Sequence, residues 1–267
     1  MSGNIFYRLD PLLICLVLMG VLLGAEEFGF RIKRKLGPGS DIGKGDIAFV
    51  VGAVLTLLGL LLGFTYAMSE GRYEARRELV VEEANAIGTT YLRAKALPEP
   101  SSSQIQDLLR QYAALRVEIG STKDDTPAKV LEIDNRSKQL HNTIWSHATA
   151  LAKENPNPII SIFLQSLNEM IDLHGKRLAA FRNRVHFPIY VVLFFVSIIT
   201  LWLVGYYFGR PRKGMQFLPM ILVLLVTLVM WLIMDLDQPV RGVISASQQS
   251  LTDLYQDLNQ DATKKSF

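Results

Sequence analysis

Residues 47–68 read IAFVVGAVLTLLGLLLGFTYAM, and residues 69–97 continue without a proline as SEGRYEARRELVVEEANAIGTTYLRAKAL. The first stretch is almost wholly apolar and, at 1.5 Å rise per residue, long enough to cross roughly 30 Å of hydrocarbon. The second is dense in Glu, Ala, Arg and Leu, all good helix formers, so one helix is expected to leave the bilayer and run on towards Pro98. A membrane part and a soluble part are thus read as sharing one long helix.

Working outward, the apolar residues gather in four blocks, 11–25, 47–68, 187–208 and 215–234. They account for a hydrophobic content of 49% alongside 20% charged residues. Four membrane-spanning helices follow from the lengths of these blocks. Between the second and third lies an insert large enough for its own helical core. The expected fold is an all-α integral membrane protein with a helical-bundle insert. Its parts are helices 1 and 2 over residues 1–68, the insert continuous with helix 2 over 69–185, helices 3 and 4 over 186–236, and a polar tail over 237–267. A net charge of +3, evenly interspersed with acids, does not suggest a nucleic-acid partner. Cys15 is the single cysteine, so no intrachain disulfide can form.

The first block is short and follows Arg8, as a signal peptide would. Glu26, Glu27, Phe28, Gly29 and Phe30 instead let it extend to an interfacial aromatic pair before Arg31, Lys33, Arg34 and Lys35, and it is read as a retained helix. Residues 36–45 have the Gly, Pro, Ser and Asp of a turn. After Pro98 a serine of residues 101–103 is expected to cap a helix whose stripe is Ile105, Leu108, Leu109, Tyr112 and Leu115. Thr126 before Pro127 opens the next helix, which runs to about Glu154. A further helix, from Pro158 to about Arg184, should turn Ile160, Phe163, Leu167, Ile171, Leu178 and Phe181 inward. Spans three and four are joined by a short hairpin at 209–214, and the tail is expected to be amphipathic.

Both short loops are rich in Lys and Arg, at 31–35 and at Arg210, Arg212 and Lys213, which places them in the cytoplasm and the insert outside. Arg72, Arg76, Arg77, Lys176, Arg177, Arg182 and Arg184 on the insert side weaken that bias.

Arg72, Arg76 and Glu83 share a face of the long helix, and Asn168, Glu169 and Asp172 cluster before Lys176 and Arg177 on the last helix of the insert. Packed against each other, these residues would form a charged collar that steers an ion. The plainer alternative is a structural ion-pair network or a solvated face. His141, His147, His174 and His186 show no metal-ligand spacing, and no paired carboxylate–histidine helices are present. No phosphate loop, nucleophile elbow or zinc-protease helix occurs. Neither an enzyme, a cofactor nor a metal is expected. Asp235 and Asp237, where the fourth span ends, are either functional, since ionisable groups near the hydrocarbon are costly, or caps of the chain reversal at Pro239, and the second reading is preferred.

The run Leu62-Gly63-Phe64, then Arg72-Tyr73-Glu74-Ala75-Arg76 after seven residues, resembles the second transmembrane helix of bestrophins. The segments Arg72 to Arg77, Glu83 to Ile87, Tyr91-Leu92-Arg93, Asn168-Glu169, Asp172 and Asp235-Leu236-Asp237 are similar to the bacterial bestrophin-like family of membrane proteins over most of the chain. The resemblance implies a multi-pass protein of the bacterial inner membrane that meets lipid and self-associates into a ring, usually a pentamer. It further implies that helix 2 lines a pore for inorganic anions, with Thr56, Leu60 and Phe64 at the neck and the insert in the cytosol, opposite to the loop-charge reading. Hydrophobic constrictions gate by dewetting, which makes Leu60 and Phe64 gate candidates. The other reading is a non-conducting sensor or scaffold whose insert binds a partner or ligand.

Overall fold

A computed structural model describes residues 11–36, 44–121, 126–208, 217–239 and 242–265. The loop 37–43, Arg8, Arg210, Arg212 and Lys213, used above, lie outside the described residues. Among the described residues there are eight helices and no strand: α1 (Pro11–Leu36), α2 (Lys44–Ala94), α3 (Ser101–Ser121), α4 (Pro127–Glu154), α5 (Pro158–Arg182), α6 (Phe187–Phe208), α7 (Phe217–Asp237) and α8 (Gln249–Lys265). Four stretches, within α1, α2, α6 and α7, are long and apolar enough to cross a membrane. The chain divides into two compact units, one of residues 1–71 and 184–238, the other of 72–183 and 239–267.

The first unit gathers α1, α6, α7 and the start of α2 around Leu22, Leu58, Tyr190, Leu193, Leu201, Val204, Met230 and Ile233. Between apolar helices in lipid, close backbone approach replaces the hydrophobic effect as the source of attraction. Here it occurs where α1 crosses α6. A Cβ on Gly29 would lie 2.1 Å from the Trp202 carbonyl oxygen, and one on Gly205 would lie 2.0 Å from that of Glu26. Asp237, at the end of α7, accepts from the Val185 N–H at 2.8 Å and from the Tyr190 hydroxyl at 3.2 Å. It therefore holds the chain entering α6, a specific use of the carboxylate beyond capping a reversal.

The second unit packs the rest of α2 with α3, α4, α5 and α8 around Ile87, Tyr91, Ile105, Leu109, Tyr112, Ile144, Phe163 and Leu167. Local chemistry sets its helix ends. Thr126 accepts from the Lys129 N–H with Pro127 at the first position, and Asn157 accepts from the Ile159 N–H at 2.7 Å ahead of Pro158. At α3 the expected serine cap is replaced by Glu99. Its carboxylate accepts from the Ser103 N–H at 3.2 Å and hydroxyl at 2.9 Å, and a negative charge suits a helix N-terminus. Ser102 instead donates to the Ala94 carbonyl at 2.9 Å and so closes the end of α2. On α5 the buried face runs through Ile160, Phe163, Leu167, Met170 and His174, while Leu178 and Phe181 are only half-buried. Both keep the register of that face, about five turns after Ile160 and Phe163, and are less covered near the C-terminal end of α5, which stops at Arg182. From the tail, α8 contributes Leu251 and Leu258 to this core. It is also tied to α2 by Tyr91 donating to Asp261 at 2.9 Å, and to the residue just after α2 by Lys95–Asp261 at 2.7 Å.

Candidate functional site

Two groups of polar and exposed residues on α2 stand out. On the membrane-spanning part, Leu58 and Leu62 are buried in the first unit, whereas Leu60 and Phe64 are 53% and 66% exposed. Thr56 is exposed too, its hydroxyl donating to the Gly52 carbonyl at 2.9 Å. Thr56, Leu60 and Phe64 are spaced one turn apart, so they form a single row. In the second unit, Glu78 and Glu82 of α2 are both exposed. Arg76 is buried, and Arg72 is half-buried.

The second group lies inside the second unit and centres on Glu83, which is fully buried. Tyr112 of α3 donates its hydroxyl to Glu83 Oε1 at 2.6 Å. Arg116, one turn further on α3, lies 3.0 Å from the carboxylate through Nε, and Arg177 of α5 pairs with Oε2. Arg177 also donates to the Gln248 side-chain carbonyl at 3.1 Å. Burial alone would raise the Glu83 pKa; the charges of Arg116 and Arg177, with the hydrogen bonds from Tyr112 and Arg177, outweigh it and hold it at about 2. The carboxyl is therefore ionised at any physiological pH. Burial and the neighbouring Glu83 push the Tyr112 phenol well above its usual range, so Tyr112 stays a donor.

The expected collar is thus divided. Glu83 and Arg177 are brought together, while Asn168, Glu169 and Asp172 lie on an open cleft of about 640 Å³ within the second unit, opposite Glu82 and Asn85. Asn168 donates to Asp172 one turn along α5 at 3.1 Å. The arrangement Glu83–Arg116–Arg177 is a closed ion-pair network: both carboxylate oxygens are occupied, which leaves no open position for a ligand on that group.

The profile of the Bestrophin-like domain matches residues 40–251. The chain belongs to the Bestrophin-like family. The fold of this bestrophin-like chain is shared with solved structures of a bacterial bestrophin homolog from Klebsiella pneumoniae. One single-site variant gives a TM-score of 0.70 at 12% identity, covering 97% of this chain and 98% of that one. A second gives 0.65 at 14% identity, covering 94% and 98%. A structure described as a membrane protein gives 0.65 at 15% identity, covering 97% and 98%. No curated protein sequence matches the chain.

In the bestrophin-like chain several buried polar residues escape sequence reasoning. Tyr112 belongs to the expected apolar stripe of α3 and is indeed buried, but its hydroxyl also serves Glu83. Arg116 sits one turn later on the same face, and a cation there was the available signal. His141, His174 and Asp134 give no such signal, since they meet only through the packing of α4 on α5. His174 Nε2 lies 3.2 Å from Asp134 Oδ1, and Lys138 donates to Asp134 Oδ2 at 2.7 Å. Among the described residues no three His, Cys, Asp or Glu side chains are placed to hold a metal ion.

Proposed function

We propose that this chain assembles into a homo-oligomeric ring of roughly five copies and forms an ion channel whose pore is lined by α2. The observation that carries this reading is the row Thr56, Leu60 and Phe64, apolar in the main and left uncovered by the rest of the protomer. Large side chains one turn apart, repeated around an axis, make the kind of constriction that excludes water until it widens. The role is not enzymatic, and the setting is the bacterial inner membrane, with the second unit in the cytosol as in bestrophins.

Anion selectivity follows from the bestrophin resemblance, with Arg72 raising the local anion concentration at the pore mouth. A second reading has a specific observation behind it. Glu78 and Glu82 of α2 are exposed while Arg76 is buried, an acidic surface on the same helix that favours cations.

Native mass spectrometry of the protein in mild detergent, followed by planar-bilayer recording, tests the proposal. A ring of about five with unitary currents supports it. A monomer or dimer that persists across detergents sinks it and leaves a non-conducting sensor or scaffold. Under a KCl gradient, reversal near the chloride potential selects the anion reading and reversal near the potassium potential selects the cation one. A C-terminal reporter that is active only outside the cytoplasm removes the proposed orientation.

A further inference from the structure

Three rings from three helices meet in the interior of the second unit. Tyr112 of α3 and His141 of α4 have centroids 4.7 Å apart, and His141 and His174 of α5 have centroids 5.1 Å apart with planes at 80°. Both histidines are buried, at 4% and 6% exposure. His141 Nε2 and His174 Nδ1 are buried without a hydrogen-bond partner among the described residues, as is the hydroxyl of Ser137, one turn before His141. A neutral imidazole can leave one ring nitrogen as a bare acceptor; an imidazolium must donate from both. Protonated His141 would therefore carry an N–H at Nε2, an atom without a hydrogen-bond partner in the closed packing, at the cost of an unmet buried donor.

We propose that His141 and His174 are an acid-operated latch: as neutral rings they close the contact of α3, α4 and α5, and a proton on His141 opens it.

The charges around the pair make the latch one-way. His141 faces Glu83 of α2, Arg116 of α3, His174 of α5 and Asp134 of its own helix. His174 faces Arg116, Asp134 and Glu83. Neither carboxylate is free to welcome a proton nearby, because Glu83 is taken by Tyr112, Arg116 and Arg177. Asp134 is taken by Lys138 and His174. An added proton therefore joins a site that already holds two guanidiniums. Burial, then the charge of His174, pull the His141 pKa down to about 4. Burial and Arg116 lower that of His174 against the opposing pull of Asp134. The latch thus responds below the usual histidine value of 6.5, where the opened form takes up the proton and the closed form does not.

The inference concerns the second unit alone and requires no current through the first. Hydrogen exchange of the full chain in detergent, followed by mass spectrometry at pH 7.5 and 5.5 with labelling times scaled for intrinsic exchange, tests it. Peptides covering residues 105–117, 137–151 and 163–177 are expected to open about tenfold more often at pH 5.5. In His141→Phe, which keeps a ring against Tyr112 but cannot take a proton, the pH response should shrink to the smaller part that His174 supplies. His141→Gln is read in the same way if the first variant does not yield folded protein. Equal protection of the wild-type peptides at the two pH values overturns the latch, and so does an undiminished pH response in either folded variant.

Discussion

Glu83 shows how a single side chain can be buried and charged at once. Its two oxygens receive a phenol and two guanidiniums, and removing one partner from such a group leaves the others without compensation. Glu83→Gln should therefore destabilise the protein by about 3–5 kcal/mol, read as a lower thermal unfolding midpoint in detergent. The pH dependence has a definite sign. The folded pKa, at about 2, lies below the ordinary 4.5, so the contribution of Glu83 is fully present above the ordinary value and is lost only as pH falls towards about 2. Acid sensitivity between pH 4 and 7 should consequently survive Glu83→Gln, measured as the change of midpoint with pH. The pairing of Glu83 with Arg177 was legible as two charged faces on helices able to pack. Tyr112 was legible as core, its hydroxyl bond was not, and the long-range meeting of His141 with His174 has no local sequence signal at all.

At the scale of elements, the approach of α1 to α6 depends on what is missing from two glycines. In an exposed helix interior Gly→Ala adds roughly 0.5–1 kcal/mol of stability. Gly24→Ala on α1, with nothing within 4 Å of its added methyl, should be neutral or slightly stabilising, whereas Gly29→Ala, aimed at the Trp202 carbonyl, should lower the thermal midpoint. Equal midpoints for the two variants would mean that the helices part without cost. On α2, Phe64→Ala widens the proposed constriction and should raise unitary conductance; unchanged conductance removes Phe64 from the neck. Helix boundaries were legible wherever a cap and a proline coincide, as at Thr126-Pro127 and Asn157-Pro158. The start of α3 was not, because Glu99 reaches across its first turn while the serines turn to other partners.

At the scale of the whole molecule, the two units are interleaved along the chain. The second takes residues 72–183 and 239–267 on either side of a segment that belongs to the first. A chain stopped after Ser247 lacks Leu251 and Leu258 from the core and leaves Tyr91 and Lys95 without Asp261. Limited proteolysis should then cut α3, which packs on α8, well before it cuts α3 of the full chain. Four spans and a helical insert were legible from the lengths of the apolar blocks. The place of α8 was not, since an amphipathic pattern shows that a helix has a partner without showing which one.

That interleaving also sets a timetable for biogenesis. Because α8 follows every membrane-spanning helix in the chain, a ribosome must finish all four spans before the last pieces of the second core emerge. Until then Gly88 lacks Leu254 beside it and Tyr91 lacks Asp261. The nascent protein thus passes through an interval in which its membrane helices can already be inserted while its soluble bundle still needs shielding from other chains.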